Sequence, residues 1–486
     1  MKVCLVYPAT IVEMGHWLPL GLAYIAANLR ENGHTVRVID RESLRRKLGN
    51  IDKANTATKE ILDKEKPELI GISATTPLIN DSYLVAGIAK KSVPGSLIAI
   101  GGNHVTSLPE ETLNECKDID VVVIGEGEFT FLDLANKRRL EEIKGIAYRH
   151  DGNISFNENR ECLENLDLLP HPARALFDTD YYMQTNPDVI RGVELKGTHV
   201  FTARGCPYSC AFCAGSRVFG KKVRYHSIGY VIKELDDVIT KYGVEGVYFV
   251  EDMFAFDKER AISLCNRMID EGLHKKIRWV AELRADVASL DLLKLMKKAG
   301  CIQVEYGFES GSQRMLNLMK KGTTVEKNIR AATLTKEAGL RLLASVIVGY
   351  PGDTKEDFNK TADFLKEIKP DFIGWNKYAP LPGSEIFEKL KRERKIHGNW
   401  EEINIGIKNT RKFNFTDMDI EEFMNMFEHV QHTLVEPTND AAYLKYNLKN
   451  NFFMVAKTFA RKYYQDPIGT TKRALKTAAR LFSNTP

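Results

Sequence analysis

The stretch Gly205-Cys206-Pro207-Tyr208-Ser209-Cys210-Ala211-Phe212-Cys213 sets three cysteines in a C-x-x-x-C-x-x-C array. A 4Fe-4S cluster ordinarily takes four cysteine thiolates, one per iron. Three at this spacing hold a cluster with one iron left open, and an open iron points to chemistry on a bound molecule rather than to plain electron transfer. A structural zinc site or chance are the alternatives. Zinc favours a closed set of four Cys or His ligands in paired C-x2-4-C and H-x3-5-H arrangements. No second pair lies nearby, and His199 and His226 flank the array without that spacing.

Working outward, Val200-Phe201-Thr202-Ala203-Arg204 is expected to be a strand that delivers the loop. Further strands are expected at 246–251, 277–282, 301–308, 341–348 and 372–378, with amphipathic helices such as 227–242 and 258–271 between them. In a parallel barrel the reactive groups cluster at the carboxyl ends of strands, and polar residues fall there in order. Glu251-Asp252 ends one strand, Glu282 and Arg284 the next, Gly307-Phe308-Glu309-Ser310-Gly311 the third, and Gly349-Tyr350-Pro351-Gly352 the fourth. Pro380-Leu381-Pro382-Gly383-Ser384 follows the last. Singly each is weak, since a strand-end carboxylate is commonly solvated and a G-x-P-G is often only a turn. For Arg284 a plain salt bridge is an equal alternative.

Residues 1–140 alternate near-continuous apolar strands (3–7, 36–39, 69–73, 97–100, 121–124) with helical segments such as 19–32. That pattern indicates a parallel sheet covered on both faces, a doubly wound α/β fold. Ligands of such sheets bind outside the carboxyl ends of the strands. The loops there are small, polar and glycine-rich: Pro8-Ala9-Thr10, Ser73-Ala74-Thr75-Thr76-Pro77, Gly101-Gly102-Asn103-His104 and Gly125-Glu126-Gly127-Glu128. Glycine there lets backbone approach a bulky, amide-rich ligand. None has the G-x-G-x-x-G spacing of a dinucleotide site.

The cysteine array with its downstream motifs resembles the radical S-adenosylmethionine (SAM) superfamily, and residues 1–135 look like the cobalamin-binding domain that precedes the radical core in the class containing cobalamin-dependent methylases. The resemblance implies a partial (β/α)6 TIM-like barrel, a 4Fe-4S cluster on Cys206, Cys210 and Cys213, and SAM contacts from Phe212, Glu251, Asp252, Glu282, Glu309, Ser310, Gly349 and Pro351. It implies cobalamin contacts from Thr10, Ser73, Thr75, Thr76, Gly101, Gly102, His104, Gly125, Glu126 and Gly127. The D-x-H-x-x-G motif that supplies a cobalt-ligating histidine in other cobalamin proteins is absent, so a lower face without protein histidine is implied, and a docking domain without cobalamin is the alternative. The activity implied is cleavage of SAM to a 5′-deoxyadenosyl radical and methylation of an unactivated carbon, with an external electron donor such as flavodoxin or ferredoxin. A radical cyclase or rearrangement enzyme of the same architecture is the runner-up. An RNA-modifying enzyme is the second, although Cys4 and Cys116 are the only cysteines in the N-terminal region, where RNA methylthiotransferases carry three.

The expected organisation is 1–140 cobalamin-binding, 141–193 hairpin and linker, 194–384 radical core, and 385–486 mainly helical. No signal peptide or apolar run of about 18 residues is evident, so a cytoplasmic protein is expected. Cys4, Cys116, Cys162, Cys265 and Cys301 are expected to be buried thiols. The net charge of +4 is too small to argue for nucleic acid. From 451 onward, however, Lys457, Arg461, Lys462, Lys472, Arg473, Lys476 and Arg480 oppose the single acid Asp466. Such a tail caps the fold, lies peripherally on an anionic membrane, or contacts RNA. The apolar and basic character of the C-terminal region leans toward a lipid-like small-molecule substrate.

Overall fold

The computed structural model describes residues 1–10, 15–251, 253–396, 400, 414–450 and 471. The basic segment from 451 and the expected SAM contact Asp252 thus lie outside the described residues, Thr471 of that segment apart.

Strands β1 (Lys2–Tyr7), β2 (Thr35–Asp40), β3 (Leu69–Ser73), β4 (Leu97–Gly101) and β5 (Val121–Val123) run parallel. The expected hairpin forms β6 (Ile146–His150) and β7 (Asn153–Phe156), and it extends the same sheet antiparallel, in the order β2-β1-β3-β4-β5-β6-β7. Val-Cys-Leu-Val in β1 and Ile-Ala-Ile in β4 are fully buried, as a sheet covered on both faces requires. The order reverses beside β1, so the ligand crevice lies at the carboxyl ends near that switch.

Two contacts fix the rim of this crevice. Gly102 has φ +128°, and a Cβ there would stand 2.4 Å from the Ala74 carbonyl oxygen, while Ala74 N–H donates to the Gly101 carbonyl at 2.7 Å. His104 is buried, its Nδ1 lies 3.1 Å from Thr76 Oγ1, and its ring meets Trp400 edge-on at 4.7 Å. Burial pulls the His104 pKa from 6.5 down to about 4, with Glu111 opposing.

The chain continues through β8 (Thr185–Ile190) and β9 (Val193–Val200), the short antiparallel pair β10 (Ala203–Arg204) and β11 (Arg224–Tyr225), then β12 (Gly246–Phe249), β13 (Arg278–Leu283), β14 (Cys301–Glu309), β15 (Arg341–Val348) and β16 (Phe372–Lys377). Six parallel strands, β9 and β12 to β16, form the expected partial barrel, in the order β16-β15-β14-β13-β12-β9, with β8 added antiparallel beyond β9. Two details differ from expectation. The strand expected at 200–204 is broken: β9 ends at Val200, and Ala203–Arg204 pairs with β11. The linker expected at 163–193 contains β8, an antiparallel edge strand, whose Pro187 and Asp188 are tolerated because an edge leaves one side of the ladder unused.

By contact, the chain forms two compact units interleaved in sequence. One comprises Met1–Tyr182, Ala203–Tyr230 and Ala379–Lys408; the other comprises Met183–Thr202, Val231–Tyr378 and Asn409–Pro486. The cysteine loop therefore belongs with the first sheet. In the second unit Trp279 packs against Phe249 and Phe254, each at 5.2 Å. Within the C-terminal region expected to be mainly helical, Ile420–Val430 is an α-helix whose Phe423 and Phe427 pack on Phe358 and Trp375. No described helix is long and apolar enough to cross a membrane.

Replacing Gly102 with Ala should cost about 1–3 kcal/mol in chemical denaturation, because it places a side chain at positive φ against backbone. The unfolded chain binds the His104 proton near pH 6.5 and the folded chain only near 4. Stability from this site is therefore complete above about 6.5 and lost as pH falls toward 4, by roughly 3 kcal/mol. Urea midpoints of His104→Gln should fall less on acidification than those of the wild type across that window.

Candidate active site

Cys206, Cys210 and Cys213 lie on one loop between β10 and β11. Cys206 and Cys210 are half-buried and Cys213 is exposed. Cys206 N–H donates to the Gly220 carbonyl at 3.2 Å and Cys213 N–H to the Cys210 carbonyl at 3.1 Å. Gly215 N–H points at Cys213 Sγ, 3.3 Å away. Among the described residues no three Cys, His, Asp or Glu side chains converge as ligands of a single ion. Phe212 is half-buried beside them.

Two arginines frame this loop. Arg204 and Arg224 are register partners across β10 and β11, and both reach Glu126. Glu126 Oε1 accepts from Arg204 Nη1 at 3.2 Å and Arg224 Nη2 at 3.0 Å, while Oε2 accepts from Arg224 Nη1 at 3.0 Å and Leu163 N–H at 2.9 Å. Glu128 Oε1 accepts from Arg204 Nη2 at 2.7 Å. Burial opposes ionisation of Glu126, but the hydrogen bonds of Arg224 and the charge of Arg204 hold its carboxyl below the usual range. Arg224 Nη2 also caps the Phe219 carbonyl at 2.7 Å. On the other flank, Arg217 Nε donates to the Gly383 carbonyl and Ile386 N–H to the Ala211 carbonyl, each at 3.0 Å. Segment 380–384 thus braces the cysteine loop. Cys162, expected to be buried, is half-exposed, and burial with the Glu126 charge raises its pKa, which keeps it a thiol.

At the strand ends of the first sheet, Thr10 N–H donates to Glu42 Oε2 at 3.3 Å and the Ser73 carbonyl accepts from Ser82 Oγ at 3.0 Å. Thr75 Oγ1 is buried with no hydrogen-bond partner among the described residues. Gly125, at φ +79°, donates its N–H to Thr106 Oγ1 at 3.1 Å, and Gly127 caps the helix Glu128–Ala135. A cavity of about 90 Å³ beside Tyr7, Thr10, Glu42 and Tyr182 has the volume of a substituent, not of a whole cofactor. An orphan hydroxyl, Gly102 packed on the Ala74 backbone, and small side chains fit an amide-rich corrin. The Glu126 carboxylate is already engaged by arginines, and the His104 ring is enclosed between Thr76 and Trp400.

In the second unit the strand-end carboxylates are held by neighbours. Glu251 Oε2 accepts from Thr202 Oγ1 at 2.5 Å, and Arg260 Nη2 donates to the Thr202 carbonyl at 3.1 Å. Glu282 accepts from Tyr248 Oη, and burial raises its pKa. Glu309 sits at φ +63°, where the register of β14 on β15 shifts, and Lys321 Nζ lies 2.8 Å from its Oε1. A bulge with a left-handed non-glycine residue re-aims a side chain at a cost, a pattern typical of functional positions. Ser310 Oγ bonds Thr361 Oγ1 at 2.9 Å. Arg284 is taken by Asp286 at 3.1 Å and by the Lys321 carbonyl at 2.8 Å. Gly349, at φ +79° under Phe423, donates its N–H to Asp353 at 2.8 Å, and burial raises the pKa of Asp353 to about 7. Pro351 follows in that turn. Sequence patterns did not single out Thr202, Lys321, Arg204 or Arg224, whose partners lie far along the chain.

Residues 200–365 match the radical SAM superfamily and residues 10–135 the B12 binding domain. The chain is 37% identical to an uncharacterized methyltransferase of Pyrococcus horikoshii over 80% of this chain and 83% of that protein. It is 27% identical to the anaerobic magnesium-protoporphyrin IX monomethyl ester cyclase of Cereibacter sphaeroides, over 79% of this chain and 62% of the cyclase. The fold matches the radical SAM methyltransferase TsrM of Kitasatospora setae, solved with cobalamin and a [4Fe-4S] cluster, at a TM-score of 0.66 and 17% identity, covering 81% of this chain and 75% of that one. With a three-cysteine loop, a B12-binding sheet and a partial barrel in one chain, this protein belongs to the cobalamin-binding class of the radical SAM superfamily.

Proposed function

We infer that the protein is a cobalamin-dependent radical SAM C-methyltransferase that acts on an unactivated carbon of a small molecule. The observation that carries this is the union, in one compact unit, of the three-cysteine loop with the glycine-rich strand ends of a B12-binding sheet. When bound, the cluster and SAM supply a 5′-deoxyadenosyl radical and cobalamin supplies the methyl group.

The chain's own task is to hold and orient. In this proposal Cys206, Cys210 and Cys213 bind the cluster, and the exposed Cys213 is the ligand nearest an electron donor such as flavodoxin or ferredoxin. Glu251, Glu282, Glu309, Ser310, Phe212, Gly349 and Pro351 contact SAM. Lys321 fixes Glu309 through Oε1, so that Oε2 is presented to a ribose hydroxyl. Thr10, Ser73, Thr75, Thr76, Gly101, Gly102, Gly125 and Gly127 cradle cobalamin, with the Thr75 hydroxyl available to a corrin amide. A lipid-like substrate draws no support from Ile420–Val430, whose aromatic side chains pack into the core.

The cyclase similarity supports a second reading, radical ring formation without methyl transfer. Anaerobically reconstituted protein with SAM, reductant and candidate substrates separates the two. S-adenosylhomocysteine formed together with 5′-deoxyadenosine is expected; 5′-deoxyadenosine alone favours the cyclase. Alanine at Cys206, Cys210 or Cys213 should remove most of the iron and all 5′-deoxyadenosine formation, whereas Cys265→Ala, at a buried helix position of the second unit, should keep both.

A further inference from the structure

The loop after β5 was expected to serve cobalamin, yet its two carboxylates point elsewhere. Glu126 and Glu128 close a four-charge network with Arg204 and Arg224, and all four side chains are less than a tenth exposed. The two arginines are the residues through which the chain enters and leaves the cysteine loop, and they face each other across β10 and β11. Arg224 additionally grips the loop through the Phe219 carbonyl. A Cβ on Gly205, at φ +99°, would stand 2.3 Å from the Lys222 carbonyl oxygen, so the neck of the loop is closed backbone on backbone. On the other side a Cβ on Gly125 would lie 3.9 Å from the Val218 carbonyl oxygen. The β5 loop is therefore joined to the cysteine loop by charge, with the two backbones close by.

We propose that Glu126 and Glu128 are positioning residues for the iron–sulfur loop, fixing through Arg204 and Arg224 where the three cysteines stand. The proposal rests on the radical SAM reading of that loop. Charge-assisted, forked bonds from arginine to carboxylate are directional, and Glu126 accepts on both oxygens from three different donor groups. Such a network constrains position and orientation together, which an apolar contact of the same area does not. Because Gly125 and Gly127 on the same loop belong to the cobalamin cradle, the backbone that a corrin would press on is the backbone that carries the clamp.

The test uses the full-length protein, reconstituted anaerobically, with SAM alone as the probe. Iron content, the electron paramagnetic resonance of the reduced cluster with and without SAM, and 5′-deoxyadenosine formation are measured for Glu126→Gln, Glu126→Asp and Glu128→Gln. Glu126→Gln is expected to keep its iron, to change the spectral response to SAM, and to slow 5′-deoxyadenosine formation about tenfold or more, since displacements near 1 Å carry penalties of that order. Glu126→Asp, which retains the charge, should recover part of both. Glu356→Gln, which loses an exposed pair with Lys360, should match the wild type. A Glu126→Gln protein that melts earlier but has wild-type spectra and rate overturns the proposal. Should that variant not fold, Glu128→Gln, which removes one bond to Arg204, decides: an unchanged SAM response overturns it and an altered one supports it. Wild-type protein that takes up no cluster or leaves SAM intact overturns the radical SAM reading itself, and the proposal with it.

Discussion

Residues 205–223 leave and rejoin the chain through two arginines whose guanidiniums end on one carboxylate. Removing such groups from water costs several kcal/mol apiece, and their mutual attraction offsets this only where geometry and hydrogen bonds are nearly complete. Here Glu126 accepts four hydrogen bonds and Glu128 takes the second arm of Arg204, but the Nε–H of each arginine is buried without a hydrogen-bond partner among the described residues. Deleting one partner leaves a buried charge uncompensated, typically a loss of about 3–5 kcal/mol, whereas exchanging the whole set for apolar side chains can be neutral. The network is thus better understood as an anchor of geometry than as a store of stability. Everything asked of the cysteines follows from that anchor, because a loop of this length has little apolar packing of its own: of Cys206 to Cys213 only Ala211 is buried.

The second unit uses the same device in smaller pieces. Glu251 is held by Thr202 and Glu282 by Tyr248, ties between neighbouring strands, and Glu309 is held by Lys321 from the connection that follows its own strand. Thr202 is itself secured by Arg260. A carboxylate already fixed by a neighbour loses little further freedom when a ligand arrives, which is the advantage of preorganisation. The left-handed backbone at Glu309 shows that the fold tolerates local strain to aim this group. Burial of Asp353 has the opposite effect on charge, since a carboxyl titrating near 7 is a weaker anion, and its bond to Gly349 N–H shapes a turn rather than supplying a charge.

Strands were legible because their apolar runs are long and regular. The segments 341–348 and 301–308 were recovered almost to the residue as Arg341–Val348 and Cys301–Glu309, and the cysteine spacing named its own chemistry. What stayed hidden has physical causes. β8 carries a proline and an aspartate, permitted on an edge and invisible to a period-two pattern. The break at Phe201-Thr202 follows from tertiary bonds to Glu251 and Arg260, which no local propensity encodes. Glu126 was read as a ligand contact because it sits in a glycine-rich strand-end loop. Its arginine partners lie 78 and 98 positions away, and nothing in a single sequence marks such a pairing.

That separation bears on how the two cofactor regions relate. Cutting the chain before residue 194 would retain all three cysteines and every strand of the partial barrel, and by composition the excised core would look complete. It would nevertheless lack Glu126 and Glu128, leaving Arg204 and Arg224 with their charge and without their acceptors. Water would enter to solvate the guanidiniums, and the register pair across β10 and β11 would lose the carboxylate that holds both sides. The N-terminal sheet is therefore a structural half of the cluster site. Its β5 loop carries Gly125 and Gly127 beside the two carboxylates that hold the cysteine loop, so a change in its conformation moves those glycines and that anchor together.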